Sequence, residues 1–383
     1  MAAYYGGRAE CRIRRWPVPV VPVDLTSEHP SVDALLGIWD VLTAARLTTK
    51  DATGEVRALL AGITLDDLFR PEFWKQLTFY AQIAPEGDVL PVRSVYDSKS
   101  GTCNIGLNTL RWKQPMWVAG PDLIASVLLG GHVPKVLEAF RLVPHGKQSG
   151  LQPVELRGAI SVDPKREDFF TRAIEYRKQN KANDRLQHFL KILANSTSYG
   201  TYLELNPTKV DPRNRPRITV YSGDQQFEQL APDTIEQPGS FYFPLLGALI
   251  TSGGRLLLAM IERCVRDAGG TYLCCDTDAL IIVASKAGGT VKMPDGTPPI
   301  KALSWKEVEG ITNRFDSLSP YNRSIVPHCC GSRMKITTRT ATSANSSACR
   351  LRLSDTLSTQ RNAANRNASI ASASRLLTPR RTV

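Results

Sequence analysis

Residues 271–283, TYLCCDTDALIIV, set two aspartates around one threonine between two apolar runs, directly after a pair of glycines. Short apolar runs joined by a polar turn read as a β-hairpin. Burying Asp276 and Asp278 beside such strands is costly unless a cation accompanies them. Side chains two apart in extended backbone point to one side, so Asp276 and Asp278 are expected to face one divalent ion. An acid-x-acid turn is common on protein surfaces, and its neighbours decide its meaning.

Upstream, residues 243–268 carry Leu245, Leu249, Leu256, Met260 and Cys264 at helical spacing, and Gly269 and Gly270 end that helix. Residues 17–25, PVPVVPVDL, predict a strand that three prolines push toward a sheet edge or a strand end. A helix opened by Pro30 and Ser31 continues through Val32, Leu35, Leu36, Ile38, Trp39 and Leu42. Strand-like pieces at 89–96 and 154–156 surround a helical stretch at 121–140, and another strand is expected at 218–221. Trp112, Trp117 and His132 read as core or surface residues rather than ligands. Residues 163–199 are polar and helical, with Arg172, Arg177, Lys178, Lys181, Arg185 and Lys191 spread along them; most such runs are solvated helix faces.

The chain has 383 residues and 42% hydrophobic residues, enough for two or three packed units. No uninterrupted apolar run approaches the roughly 20 residues of a membrane span, and the first residues lack a signal-peptide pattern, which predicts a cytoplasmic protein without a membrane partner. The eight cysteines form no C-x-x-C pair, so reduced, structural thiols are expected. The net charge of +12 suits a polyanionic partner. Of that total, +7 falls in residues 337–383, which hold eight arginines, one acid and no Phe, Trp or Tyr. Such a segment buries little and is expected to be a disordered basic tail.

Four strings together resemble motifs of the family-B DNA polymerases, in that family's order. CCDTDA resembles the Tyr-x-Asp-Thr-Asp-Ser hairpin, with Cys274 for the aromatic residue and Ala279 for the serine. VDLTSEHPSV, residues 23–32, resembles Asp-x-x-Ser-x-Tyr-Pro-Ser at Asp24, Ser27, Pro30 and Ser31. Without the resemblance, it reads as a strand-to-helix turn capped by Ser27 or Ser31. LKILANSTSYG resembles the fingers signature Lys-x-x-x-Asn-Ser-x-Tyr-Gly through Lys191, Asn195, Ser196, Tyr199 and Gly200, and is the most specific string. ALITSGGR, residues 248–255, resembles a palm-supporting helix. Arg177 and Lys181, four apart, resemble the basic pair that the family aims at a triphosphate.

The resemblance implies an α+β fold: a polymerase palm with a mainly antiparallel sheet backed by helices, helical fingers, and no thumb or exonuclease domain. Its expected parts are palm at 1–62 and 206–332, an insert at 63–162, fingers at 163–205 and the tail at 333–383. It implies templated DNA synthesis by two-metal phosphoryl transfer. Asp24 and Asp278 would bridge two Mg²⁺ ions, with Mn²⁺ as a substitute, and Asp276 would flank them as the third catalytic carboxylate. Arg177, Lys181, Lys191, Asn195, Tyr199 and His29 would bind the nucleotide. The partners would be a primed DNA template and deoxynucleoside triphosphates, and a separately encoded subunit is left open. The competing expectation is a truncated, inactive remnant that still binds nucleic acid.

Three departures bear on that choice. His29 stands where the family keeps a tyrosine under the sugar, which leaves sugar discrimination open. The fingers string has one extra residue between Asn195 and Tyr199, and one helical residue turns later side chains by about 100°. The tail occupies the place of the thumb and its Lys-x-Tyr motif. Codons permitted for residues 353–359 can spell Lys-Arg-Tyr in another frame, and a frameshift near residues 331–335 is the expectation drawn from this.

Overall fold

The computed structural model describes residues 6–97, 102–156, 160–222, 225–294, 296–328 and 330–332. The expected tail at 333–383, and the frameshift with it, lie outside the described residues. By packing, the chain divides into residues 1–14 with 18–334, and residues 15–17 with 335–383. Every element named below belongs to the first unit.

Strands β1 (Ala9–Cys11) and β2 (Val20–Leu25) lead into helices α1 (Glu28–Leu36) and α2 (Ile38–Leu42). The single helix expected here is broken at Gly37, whose φ of 69° is left-handed and incompatible with a continuous helix. The helix also starts two residues before Pro30. Neither serine caps it: Ser27 sits at φ 49° without a side-chain cap, and the Ser31 hydroxyl bonds the Thr26 carbonyl and the Tyr321 hydroxyl.

Next come β3 (Arg46–Asp51), α3 (Thr53–Gly62), β4 (Phe79–Ala84), β5 (Glu86–Asp97), β6 (Thr102–Arg111), β7 (Met116–Ala119), α4 (Gly120–Gly130) and β8 (Lys135–His145). The helical stretch expected at 121–140 therefore ends ten residues early. Gly131 at φ 72° caps α4, and the following residues pair as β8 with both β3 and β4. The order β3-β8-β4-β7 makes a four-stranded antiparallel sheet, with β5–β6 a separate hairpin.

Strands β9 (Val154–Leu156) and β10 (Ile160–Val162) precede α5 (Phe169–Gln179) and α6 (Asp184–Ser198). The Asp168 carboxylate caps α5 by accepting from the Phe170 and Thr171 amides, and the Asn183 side chain caps α6. Two hairpins follow, β11 (Leu205–Lys209) with β14 (Thr234–Pro238), and β12 (Arg217–Ser222) with β13 (Gln225–Leu230).

Helix α7 (Pro244–Asp267) then crosses the core and stops at Gly269, φ 75°. By length and composition α7 could cross a membrane, although Arg255 interrupts its apolar run. Yet 89% of its apolar window is buried by the fold, as suits a core helix. Strands β15 (Tyr272–Asp276), β16 (Ala279–Ser285), β17 (Ala287–Val291) and β18 (Ile300–Ser304), helix α8 (Trp305–Arg314) and β19 (Cys330–Ser332) complete the unit.

The main sheet runs β1-β15-β16-β2-β19, all antiparallel, with β18 and β17 joined to the far end of β16. Of the two places its prolines suggested, β2 does not take the sheet edge, but Pro17 and Pro19 do fall at the strand's end, just before Val20. The strand pairs with β16 along its length, and among the described residues β19 pairs with Val23–Leu25, beyond Pro22. One apolar core joins this sheet to α7 and to the four-stranded sheet, through Val23, Leu280, Leu256, Leu258 and Phe79. The fold is thus mixed α/β with mostly antiparallel sheets.

Candidate functional site

The acidic turn sits where the main sheet is most constrained. Asp276 ends β15, Ala279 opens β16 and the two are register partners. Thr277 between them is left-handed at φ 53°, and the Asp278 amide donates to the Asp276 carbonyl at 2.7 Å. The backbone there is a tight turn rather than an extended strand, so the alternation that was expected to aim Asp276 and Asp278 the same way does not operate. The Thr277 amide donates to the Arg8 carbonyl at 2.8 Å, which ties the turn to β1. Gly7 permits that approach, because a Cβ there would stand 2.7 Å from the Thr277 methyl carbon.

Asp24 reaches the turn from β2. It is opposite Ala279 in register, and the Leu25 amide donates to the Asp278 carbonyl at 2.8 Å. The result is electrostatic crowding. Burial, and then the Asp24 charge, push the Asp278 carboxyl up to about 6, while Lys191 pulls it down. The Asp278 side chain still reaches solvent; the protein surrounding its base supplies the desolvation.

Glu28, which the sequence reading left without a role, lies directly behind this pair. It is 4% exposed, its Oε1 has no hydrogen-bond partner, and burial together with the Asp278 charge holds its carboxyl well above the usual range. Gly254 of α7 makes the space: a Cβ there would stand 2.7 Å from Glu28 Oε1.

The nucleotide-binding candidates divide. Tyr199 leaves α6 at its end, with φ −141° and ψ −33°, and its ring lies 4.3 Å from that of His29. Ending the helix at Ser198 absorbs the extra residue, since Tyr199 no longer follows the helical rotation. Burial and the Arg255 charge lower the His29 pKa to about 4, keeping its ring neutral. Lys191 and Asn195 lie on the exposed side of α6, and the Lys191 charge acts on Asp278. Arg177 sits half-buried in the last turn of α5, with its Nε lacking a partner. Lys181 does not share a helical face with Arg177, as had been expected, because α5 stops at Gln179. The Asn180 side chain and amide both bond the Tyr176 carbonyl there, and Lys181 falls in the following turn.

Supporting this site is a buried fork. Arg255 of α7 grips both Asp122 oxygens, at 2.8 and 2.7 Å, and donates to the Gly6 carbonyl just before β1. Arg8, 2% exposed, bonds Glu262 at 2.6 Å and the Tyr272 hydroxyl at 2.9 Å, and also pairs with Glu10. Asp122 could have been noticed as a lone acid in an otherwise apolar helix. Arg8 and Glu10 carried no signal, since a charged pair near a chain start is ordinary.

Among the described residues no three His, Cys, Asp or Glu side chains converge closely enough to enclose a metal ion. The donor chemistry of Asp24 with Asp278 nevertheless fits Mg²⁺, which takes one or two carboxylates and completes its shell with water and substrate phosphates. A cation there would also relieve the repulsion that raises the Asp278 pKa.

No protein-family model matches the chain, and no curated protein does. Among solved structures, the fold is similar to Phi29 DNA polymerase complexed with primer-template DNA and incoming nucleotide substrates, at 13% identity and a TM-score of 0.38. An orthorhombic crystal form of Phi29 DNA polymerase gives 15% identity and the same TM-score. Each alignment covers 77% of this chain and 43% of the polymerase, so the chain spans less than half the length of that enzyme. The likeness is weak and lies at the level of the fold.

Proposed function

We propose that this chain is the palm and fingers portion of a family-B type DNA polymerase, with Asp24 and Asp278 as its metal-holding carboxylates. The observation that carries the reading is the approach of Asp24 to the Asp278 turn, which crowds the two charges under the field of Lys191. Bound Mg²⁺ would supply Lewis-acid stabilisation of the phosphoryl group and of the primer hydroxyl. Asp24 and Asp278 would fix its position from neighbouring strands, with Asp276 flanking. Lys191, Arg177, Lys181 and Asn195 would draw in and orient the triphosphate, since charge-assisted bonds to phosphate are strong. The His29–Tyr199 pair would form an apolar floor under the nucleotide.

A second reading, an inactive remnant that keeps nucleic-acid binding, is favoured by one observation: Asp276 does not complete a three-carboxylate cluster. Primer extension on a primed single-stranded template with Mg²⁺ or Mn²⁺ separates the two. Extension abolished by chelation and by Asp24→Ala/Asp278→Ala supports the polymerase. Folded protein that retains salt-sensitive DNA binding but extends nothing refutes it in favour of the remnant.

A further inference from the structure

Strand β1 closes one edge of the main sheet and, among the described residues, pairs with β15 alone. Their register sets Cys11 opposite Cys274, Glu10 opposite Cys275 and Ala9 opposite Asp276. Opposed residues in an antiparallel pair alternate between hydrogen-bonded and non-hydrogen-bonded sites, and two bonds at the strand ends fix which is which. The Thr277 amide donates to the Arg8 carbonyl, and the Arg12 amide donates to the Leu273 carbonyl, each at 2.8 Å. Arg8 with Thr277 and Arg12 with Leu273 are therefore bonded sites, and so is Glu10 with Cys275, two residues from each. Cys11 with Cys274 falls between them, at a non-bonded site.

Non-bonded sites bring opposed Cα atoms to about 4.5 Å, with the two side chains close together on one face of the sheet. A disulfide spans Cα separations of about 4.4–6.8 Å, so this site lies within its reach. Cys275 enters the main apolar core at 3% exposure. Successive side chains of a strand alternate between faces, which puts Cys274, 9% exposed, on the other face together with Cys11. Cys11 is the most open of the described cysteine side chains, the others being buried. Its Sγ donates to the Ile13 carbonyl at 3.1 Å. A thiol is a weak donor, and rotation about the Cα–Cβ bond exchanges that contact for the facing sulfur.

We propose that Cys11 and Cys274 are a redox modification site, which a hydroperoxide joins in a reversible cross-strand disulfide that fastens β1 to β15. With hydrogen peroxide, the Cys11 sulfur attacks one peroxide oxygen, the O–O bond breaks, and the departing hydroxide takes the Cys11 thiol proton and leaves as water. The Cys274 sulfur then attacks the sulfenic sulfur of Cys11. The S–S bond forms, the S–O bond breaks, and the second hydroxide takes the Cys274 proton to become a second water. The two sulfurs give up two electrons and the peroxide takes them; a dithiol reductant reverses the change. Fastening β1 also holds the Arg8 carbonyl under the acidic turn, where the Thr277 amide bonds it. The inference goes beyond the proposed function and does not rest on polymerase activity.

The test exposes the native full chain to graded hydrogen peroxide, blocks the remaining thiols with N-ethylmaleimide and maps peptides by mass spectrometry without reduction. The expected product is a peptide pair linked through Cys11 and Cys274, lighter by two hydrogen atoms and released by dithiothreitol. Because Cys274 adjoins Cys275, variants complete the assignment: the link should vanish in Cys11→Ser and in Cys274→Ser and persist in Cys275→Ala. Calorimetry should show the thermal midpoint of the oxidised protein raised by about 3–6 °C over the reduced one, the size expected of one disulfide in a unit this large. Cys11→Ser should show no such rise. Cys11 left unmodified or carried to the sulfinic acid at every dose, a link from Cys11 to another cysteine, a link that forms only in urea, or a linked protein whose midpoint does not rise overturns the proposal.

Discussion

Replacing Arg255 by methionine isolates what the buried fork contributes. Arg255 and Asp122 are 0% and 1% exposed, and their two parallel bonds are 2.8 and 2.7 Å. Removing one partner leaves a buried carboxylate uncompensated, which costs about 3–5 kcal/mol. For a folded unit of this size, about 1.5 °C is lost per kcal/mol, so the thermal midpoint should fall by roughly 4–8 °C. Asp122→Leu/Arg255→Met removes both charges and should recover at least about half of that loss, because two apolar side chains replace the pair at little net cost. Recovery would stay incomplete, since the bond to the Gly6 carbonyl is still missing and a lost bond costs about 1 kcal/mol. The readouts are differential scanning calorimetry and the NMR titration of His29, whose value near 4 should rise once the Arg255 charge is gone. A double variant as unstable as the single one, with His29 unmoved, would refute the assignment of Arg255 as an electrostatic anchor.

Four further outcomes follow from the site. Asp24→Asn should lower the Asp278 pKa from about 6 toward its ordinary 3.8, by part of the gap because burial is the larger cause; carboxyl NMR reads this, and an unmoved value denies their proximity. The raised value also sets a pH sign: Asp278 favours the fold below its ordinary range and loses that contribution as pH rises through 6, whereas the proposed metal binding would need the ionised form and should fail below about 6. His29→Ala removes the ring facing Tyr199 and should cost about 1 kcal/mol of stability and, on the proposed polymerase reading, raise KM for nucleotide about 3- to 10-fold; unchanged values in both steady-state kinetics and denaturation would remove the pair from the proposed site. Gly254→Ala should destabilise by about 1–2 kcal/mol in urea unfolding, because crowding of the Glu28 carboxyl outweighs the better helix propensity; a stabilised variant would show that Glu28 is free to move away.

Sequence by itself determined the elements whose evidence is local. The 3.6-residue period of 243–268 and its Gly-Gly stop match α7, observed as Pro244–Asp267, and the apolar runs about Asp276 and Asp278 match β15 and β16. The break at Gly37 was also local, but an apolar pattern continuing through Ile38, Trp39 and Leu42 concealed it. Beyond Gly130, the same apolar residues suited a helix or a strand, and only pairing with β3 and β4 chose the strand β8.

What the tertiary structure decided is every relation between distant segments. Asp24 lies beside the Asp278 turn because β2 pairs with β16 in one register, and a shift of one residue would have turned Asp24 to the other face. Tyr199 reaches His29 because α6 ends one residue before it. Glu28 has a raised pKa because α1 packs against a glycine of α7 and behind two other carboxylates, a condition invisible in the string SEHPS. Local sequence encodes backbone preference and periodicity, whereas charge, desolvation and stacking act across space, and register and packing alone determine which charges meet.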